Sequence, residues 1–218
     1  MQPRVKICCI SSPDEARLAI RYGAAALGLV GPMPSGPGVI TDDQIAVIAR
    51  QVPPPIATFL LTSETDAEQI IAHQRRVNTN TVQIVDALTN GEYDHIRAAL
   101  PGIRLVQVIH VIDERSVEEA LRIAPHVDAL LLDSGNPNLA VKELGGTGRV
   151  HNWALSRQIR DQSPVPIFLA GGLRPDNVRQ AIDTVEPFGL DLCSGVRSGG
   201  KLDEAKLAAF FKAVSGER

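Results

Sequence analysis

The feature that most restricts how this chain can fold is a repeated pattern. A short apolar run, a turn, and a segment with apolar residues at helical spacing follow one another eight times. The apolar runs are Arg4 to Ile10, Ala25 to Val30, Pro55 to Leu61, Thr81 to Val85, Ile103 to His110, Val127 to Leu132, Val165 to Gly172 and Phe188 to Cys193. They read as continuous rather than alternating, as strands do when both faces are covered. Between them lie helical faces such as Ala16/Ala19/Ile20, Ile45/Ile48/Ala49/Val52, Val178/Ala181/Ile182/Val185 and Leu207/Phe210/Phe211/Val214. Helix starts are marked by Ser12-Pro13-Asp14-Glu15, by Thr41 with Gln44, and by Thr65 with Glu68.

Strict strand–helix alternation with right-handed crossovers leaves two architectures, an open doubly wound sheet or a closed barrel. Eight units with no element left over favour a single (β/α)8 TIM barrel over residues 1–218. No G-x-G-x-x-G follows the first strand, where Cys8-Cys9-Ile10-Ser11 stands, so a dinucleotide site is not indicated.

Composition narrows the function. A net charge of −3 and 4% aromatic residues give no footprint for nucleic acid. No apolar run approaches a membrane span, and Met-Gln-Pro-Arg-Val-Lys lacks the apolar region of a signal peptide, so a cytoplasmic protein without membrane contact is expected. Three cysteines, Cys8, Cys9 and Cys193, make no disulfide framework and suit a reducing compartment. No metal-binding spacing is present. The expected assembly is a monomer or homodimer.

In such a barrel the active site lies at the C-terminal strand ends, with phosphate on the loops after strands seven and eight. Strand seven ends in Ala170-Gly171-Gly172 and strand eight in Cys193-Ser194-Gly195-Val196. Two glycine-bearing turns in those two places point to a phosphate cradle, although glycine also serves tight strand–helix packing. Cys8 and Asp133 close strands one and six at the same mouth. A thiolate and a carboxylic acid facing one site would move protons between neighbouring substrate atoms, given a lowered Cys pKa and a raised Asp pKa. Gln83 on strand four would bond a substrate hydroxyl or satisfy backbone. The loop Gly145-Gly146-Thr147-Gly148 would cover the ligand, add N–H donors or simply be flexible. Strand alternation puts Lys6 and Cys8 on one face, with Cys9 on the other. A buried Lys6 needs a partner, for which Asp191 on the adjoining strand eight is the candidate.

These residues resemble the phosphoribosylanthranilate isomerase family of tryptophan biosynthesis. The matching motifs run from end to end: Val5-Lys-Ile-Cys8, Val82-Gln83, Leu131-Leu132-Asp133-Ser134, Gly145-Gly146-Thr147-Gly148, Leu169 to Val178, and Ser194-Gly195-Val196. The resemblance implies a cofactor-free Amadori rearrangement of N-(5'-phosphoribosyl)anthranilate, with Cys8 as general base and Asp133 as general acid. It implies phosphate binding at Gly171, Gly172, Ser194 and Gly195, with Gly146 and Gln83 also on the substrate. The chain departs from the family pattern at Gly38, where the family has an arginine, and at Val85, where it has a histidine. Cys9 stands for a usual glycine, Cys193 for a frequent serine, Arg197 for a frequent glutamate, and His151-Asn152-Trp153 for Phe-Asp-Trp. The groups on the aromatic carboxylate side are altered, and Arg197 and Lys201, just beyond strand eight, are candidate cations. Two alternatives stay open: an isomerase of another phosphorylated sugar-like metabolite, and a phosphometabolite-binding protein without turnover.

Overall fold

A computed structural model of the protein describes residues 2–135 and 148–216. Eight parallel strands close into a barrel in sequence order. They are β1 (Arg4–Ile7), β2 (Ala26–Val30), β3 (Ala57–Thr62), β4 (Thr81–Ile84), β5 (Arg104–His110), β6 (Ala129–Asp133), β7 (Ile167–Leu169) and β8 (Gly189–Leu192). The helices between and after them are α1 (Pro13–Arg21), α2 (Asp42–Gln51), α3 (Ala67–Val77), α4 (Tyr93–Ala99), α5 (Arg115–Ile123), α6 (Trp153–Gln162), α7 (Val178–Val185) and α8 (Glu204–Ser215). The TIM barrel expected from the alternation is thus the observed fold. Its seam is β1 on β8, with Lys6 opposite Asp191 and Ile7 opposite Leu192.

The strands are apolar on both faces because two cores use them. Outward side chains such as Ile7, Leu27, Leu60 and Leu132 pack under the helices. Inward ones such as Phe59, Leu61, Val106, Leu131 and Phe168 fill the barrel. Phe59 and Phe168 meet edge to face, with ring centroids 5.9 Å apart.

Local signals set the helix starts with one shift. Ser12 accepts from the Glu15 N–H at 3.2 Å, and Thr41 and Gln44 form a reciprocal capping box. At the third helix the cap is Asp66 rather than Thr65: its carboxylate accepts from the Gln69 N–H at 3.1 Å. Thr65 instead joins Thr89, hydroxyl to hydroxyl, at 3.0 Å. Beyond β8, Ser194–Val196 form a 3-10 turn, and a two-stranded ribbon pairs β9 (Arg197–Ser198) with β10 (Lys201–Leu202). No helix among the described residues is long and apolar enough to cross a membrane.

Candidate active site

The ends of β1, β4, β6, β7 and β8 surround one cavity of about 680 Å³, a volume that includes open solvent at its mouth. Cys8, Gln83, Asp133, Gly171, Gly172, Ser194 and Gly195 all line it. Gly146 lies outside the described residues, while Gly148 borders the cavity.

Cys8 follows directly on β1 and is buried. Its place depends on a glycine that sequence reading passed over. A methyl group on Gly28 of β2 would lie 2.7 Å from Cys8 Sγ and 3.1 Å from Lys6 Nζ. Lys6 is fully buried and pairs with Asp191 Oδ1 at 2.8 Å, as strand adjacency led us to expect. Burial alone would lower the Lys6 pKa, but the Asp191 carboxylate, with a lesser contribution from Cys8, holds it above the ordinary lysine value.

The Cys8 thiol is not lowered, as proton abstraction had led us to expect. Burial pushes it up to about 11, and the neighbouring Lys6 charge only partly offsets this. Ionising a buried thiol costs more in lost hydration than one ammonium returns, because that ammonium is already paired with Asp191. Asp133 moves as expected. Burial raises its pKa, while the Ser134 N–H, at 2.7 Å from Oδ1, and His110 act against the rise.

The two glycine turns are packed backbone against backbone. Gly171 and Gly172 have φ of 83° and 61°, in the left-handed region that favours glycine. A methyl on Gly172 would come within 2.7 Å of the Arg149 carbonyl carbon, and one on Gly195 would run into the Leu173 carbonyl oxygen. Asn177, just before α7, braces the first turn. It donates from Nδ2 to the Gly172 carbonyl at 2.9 Å, and its Oδ1 accepts from the Arg174 N–H at 2.8 Å. Glycine therefore does serve packing here. The same packing leaves the N–H groups of Gly171, Gly172, Ser194 and Gly195 without an acceptor among the described residues. Such a set of backbone donors beside a helix N-terminus suits an anion. Gln83 adds a buried Oε1 that no described group satisfies, an acceptor ready for a ligand N–H or O–H.

Two expectations are corrected. The three cysteines are not an unlinked set: Cys9 and Cys193 form a disulfide, with Cα atoms 5.9 Å apart, leaving Cys8 as the free thiol. Cys9 leaves the outward face that alternation assigned to it because its φ of 63° turns the chain left-handed just past β1. Barrel closure then sets it beside the residue just past β8. Arg197 is no free cation for a substrate. It grips Glu15 with both terminal nitrogens at 3.0 Å and donates to the Cys8 and Cys9 carbonyls, tying down the end of β1. Burial would raise the Glu15 carboxyl, but Arg197 and the Leu202 and Ser11 N–H groups hold it below the ordinary value. Lys201 is exposed on β10 and does not line the cavity.

The chain is similar to known proteins along nearly its whole length. Residues 5–213 match the family model described as N-(5'phosphoribosyl)anthranilate (PRA) isomerase. The N-(5'-phosphoribosyl)anthranilate isomerase of Methanosarcina acetivorans is 34% identical, over 98% of this chain and 94% of its own. That of Methanocella arvoryzae is 32% identical, over 95% of each chain. Among solved structures, phosphoribosyl anthranilate isomerase from Thermotoga maritima superimposes with a TM-score of 0.80 at 31% identity, covering 98% of this chain and 99% of that one. A phosphoribosyl anthranilate isomerase in complex with reduced 1-(o-carboxyphenylamino)-1-deoxyribulose 5-phosphate gives 0.78 at 29% identity, with coverage of 98% and 99%. The chain belongs to the N-(5'-phosphoribosyl)anthranilate isomerase family.

Proposed function

We propose that this protein isomerises N-(5'-phosphoribosyl)anthranilate to 1-(o-carboxyphenylamino)-1-deoxyribulose 5-phosphate, the Amadori step of tryptophan biosynthesis. The observation that carries the reading is that Cys8 and Asp133 line one cavity with the glycine turns of β7 and β8. The phosphate sits against the N–H groups of Gly171, Gly172, Ser194 and Gly195. Asp133, whose raised pKa favours the protonated form, donates its proton to the ribose ring oxygen. The C1–O bond breaks and the nitrogen lone pair forms a protonated imine at C1, the nitrogen keeping its hydrogen. Cys8, as thiolate, then removes the C2 proton, and the electron pair moves to give an enolamine that tautomerises to the ketone. Lys6 steadies the thiolate from below the cavity, and Gln83 Oε1 accepts from a substrate hydroxyl. The proposal includes a cytoplasmic location and a monomeric or homodimeric state, which size-exclusion chromatography with light scattering would decide.

The test is growth of a tryptophan auxotroph that lacks this isomerase. Wild type should restore growth. Purified Cys8→Ala and Asp133→Asn proteins should lose roughly 10²- to 10⁴-fold in kcat. Failure of soluble wild-type protein both to complement and to turn over the substrate rejects the proposal.

A further inference from the structure

The cavity has two unlike ends. At the β7 and β8 turns it presents backbone N–H donors. On the side of β2, β3 and β4 its wall is Val30, Met33, Leu61 and Val85, with Ser35, Gly36 and Pro37 of the loop after β2. Between the ends stand Cys8, Gln83 and the two carboxyl groups of Asp133 and Asp191. No Lys, Arg or His is among the described residues that line it. Lys6 and Arg197, both beside the end of β1, are committed elsewhere, Lys6 to Asp191 and Arg197 to Glu15.

The apolar end is also closed to a new cation from the loop above. Gly38 has a φ of 80°, and a side chain there would run into Cβ of Cys9. Cys9 cannot yield freely, because it is bonded to Cys193 and its sulfur lies 3.5 Å from the Pro37 carbonyl oxygen. The loop lies directly on the disulfide, and that contact excludes a side chain at position 38. An anion on this side of the cavity would lose its water without gaining a counter-charge, and the carboxyl groups lining the same cavity would oppose it.

We infer that the apolar end takes an uncharged aryl or alkyl substituent on the ribosylamine nitrogen, so that the carboxylate of an anthranilate conjugate contributes nothing to recognition. The inference rests on the aminoribosyl isomerase reading above, and it concerns only which nitrogen substituents the site accepts. Shape and apolar contact at Met33, Leu61 and Val85 select the substituent, and the phosphate supplies the directional binding.

The experiment compares N-(5'-phosphoribosyl)anthranilate with N-(5'-phosphoribosyl)aniline, which differ only in the carboxylate. Turnover is followed by the appearance of the ketose. Binding is followed by calorimetry with the two corresponding reduced 1-arylamino-1-deoxyribulose 5-phosphates. Loss of the carboxylate should lower kcat/KM and affinity by less than threefold, or raise them. A loss of threefold or more in both overturns the inference while leaving the isomerase reading intact. If neither conjugate turns over, that reading fails, and the calorimetric ratio alone decides the inference; binding of neither analogue overturns both. A gain-of-charge variant gives an independent check. Met33→Arg places a cation at the apolar end and should shift the ratio at least threefold toward the anthranilate conjugate. An unchanged ratio overturns the placement of the substituent.

Discussion

Lys6 and Asp191 meet at 2.8 Å across the seam where the first strand closes on the last, beneath the thiol of Cys8. Both are buried, and Asp191 is the chief charge opposite Lys6, with a lesser contribution from Cys8. Removing one partner of such a pair strands the other, whereas replacing both with apolar groups removes the desolvation cost as well. Asp191→Asn should therefore cost about 3 to 5 kcal/mol of stability in urea denaturation. The double variant Lys6→Met, Asp191→Leu should be more stable than Asp191→Asn. Equal stability of the two would show that the pair is not electrostatically coupled.

That pair could be read in the sequence because two rules suffice for it. Strand alternation turns Lys6 and Asp191 inward, and closing eight strands makes the first and last neighbours. Cys9 and Cys193 obey the second rule but break the first. The residue types of Cys8-Cys9-Ile10 do not announce a left-handed position, and the one signal, the glycine usual in the family at position 9, says nothing of Cys193, so the disulfide was hidden. Arg197 was hidden for a related reason. Its partner Glu15 is 182 residues away on another helix start, and only the folded ribbon beyond β8 brings the two together. Gly28 was passed over because a glycine inside an apolar run looks like weak packing until the side chains facing it, Cys8 and Lys6, are known. The two glycine turns were legible because their location is fixed by strand count, which the apolar runs display openly.

The disulfide predicts a thiol count. Protein purified without reductant and unfolded in guanidinium should show one thiol reactive to Ellman's reagent, and three after reduction, since Cys8 is the free cysteine. The link joins residues 184 apart in sequence, so it restrains nearly the whole unfolded chain. Cys193→Ser should cost about 2 to 4 kcal/mol relative to the oxidised wild type, and almost nothing when both are measured in dithiothreitol. Three reactive thiols before reduction would mean that the bond does not form in solution.

The glycine turn predicts a binding defect rather than a chemical one. Gly172 needs its left-handed backbone, and a methyl there meets the Arg149 carbonyl carbon at 2.7 Å. Gly172→Ala must shift the turn and misdirect its N–H groups. Hydrogen bonds to a charged acceptor are worth about 1.5 to 3 kcal/mol each, so KM should rise roughly tenfold or more. The kcat should change far less, because the phosphate is held alike in ground and transition states. Inhibition by inorganic phosphate should weaken in parallel. A fall in kcat at constant KM would place the turn in the chemistry instead.

The pH dependence follows from which group holds the proton. In the proposed reaction the working form needs Asp133 protonated and Cys8 ionised; burial raises the Asp133 carboxyl and pushes the Cys8 thiol up to about 11. While Asp133 keeps its proton, the thiolate fraction grows tenfold per pH unit, so kcat/KM rises. Loss of the Asp133 proton removes the acid and opposes any further gain. Asp133→Asn removes that opposing limb. Its residual kcat/KM should climb tenfold per unit without a break until about 11, the value at which Cys8 is ionised. An inflection in that variant two or more units lower would mean that Cys8 is ionised far more readily than its burial beside the Lys6–Asp191 pair implies, and that the base is poised near neutrality.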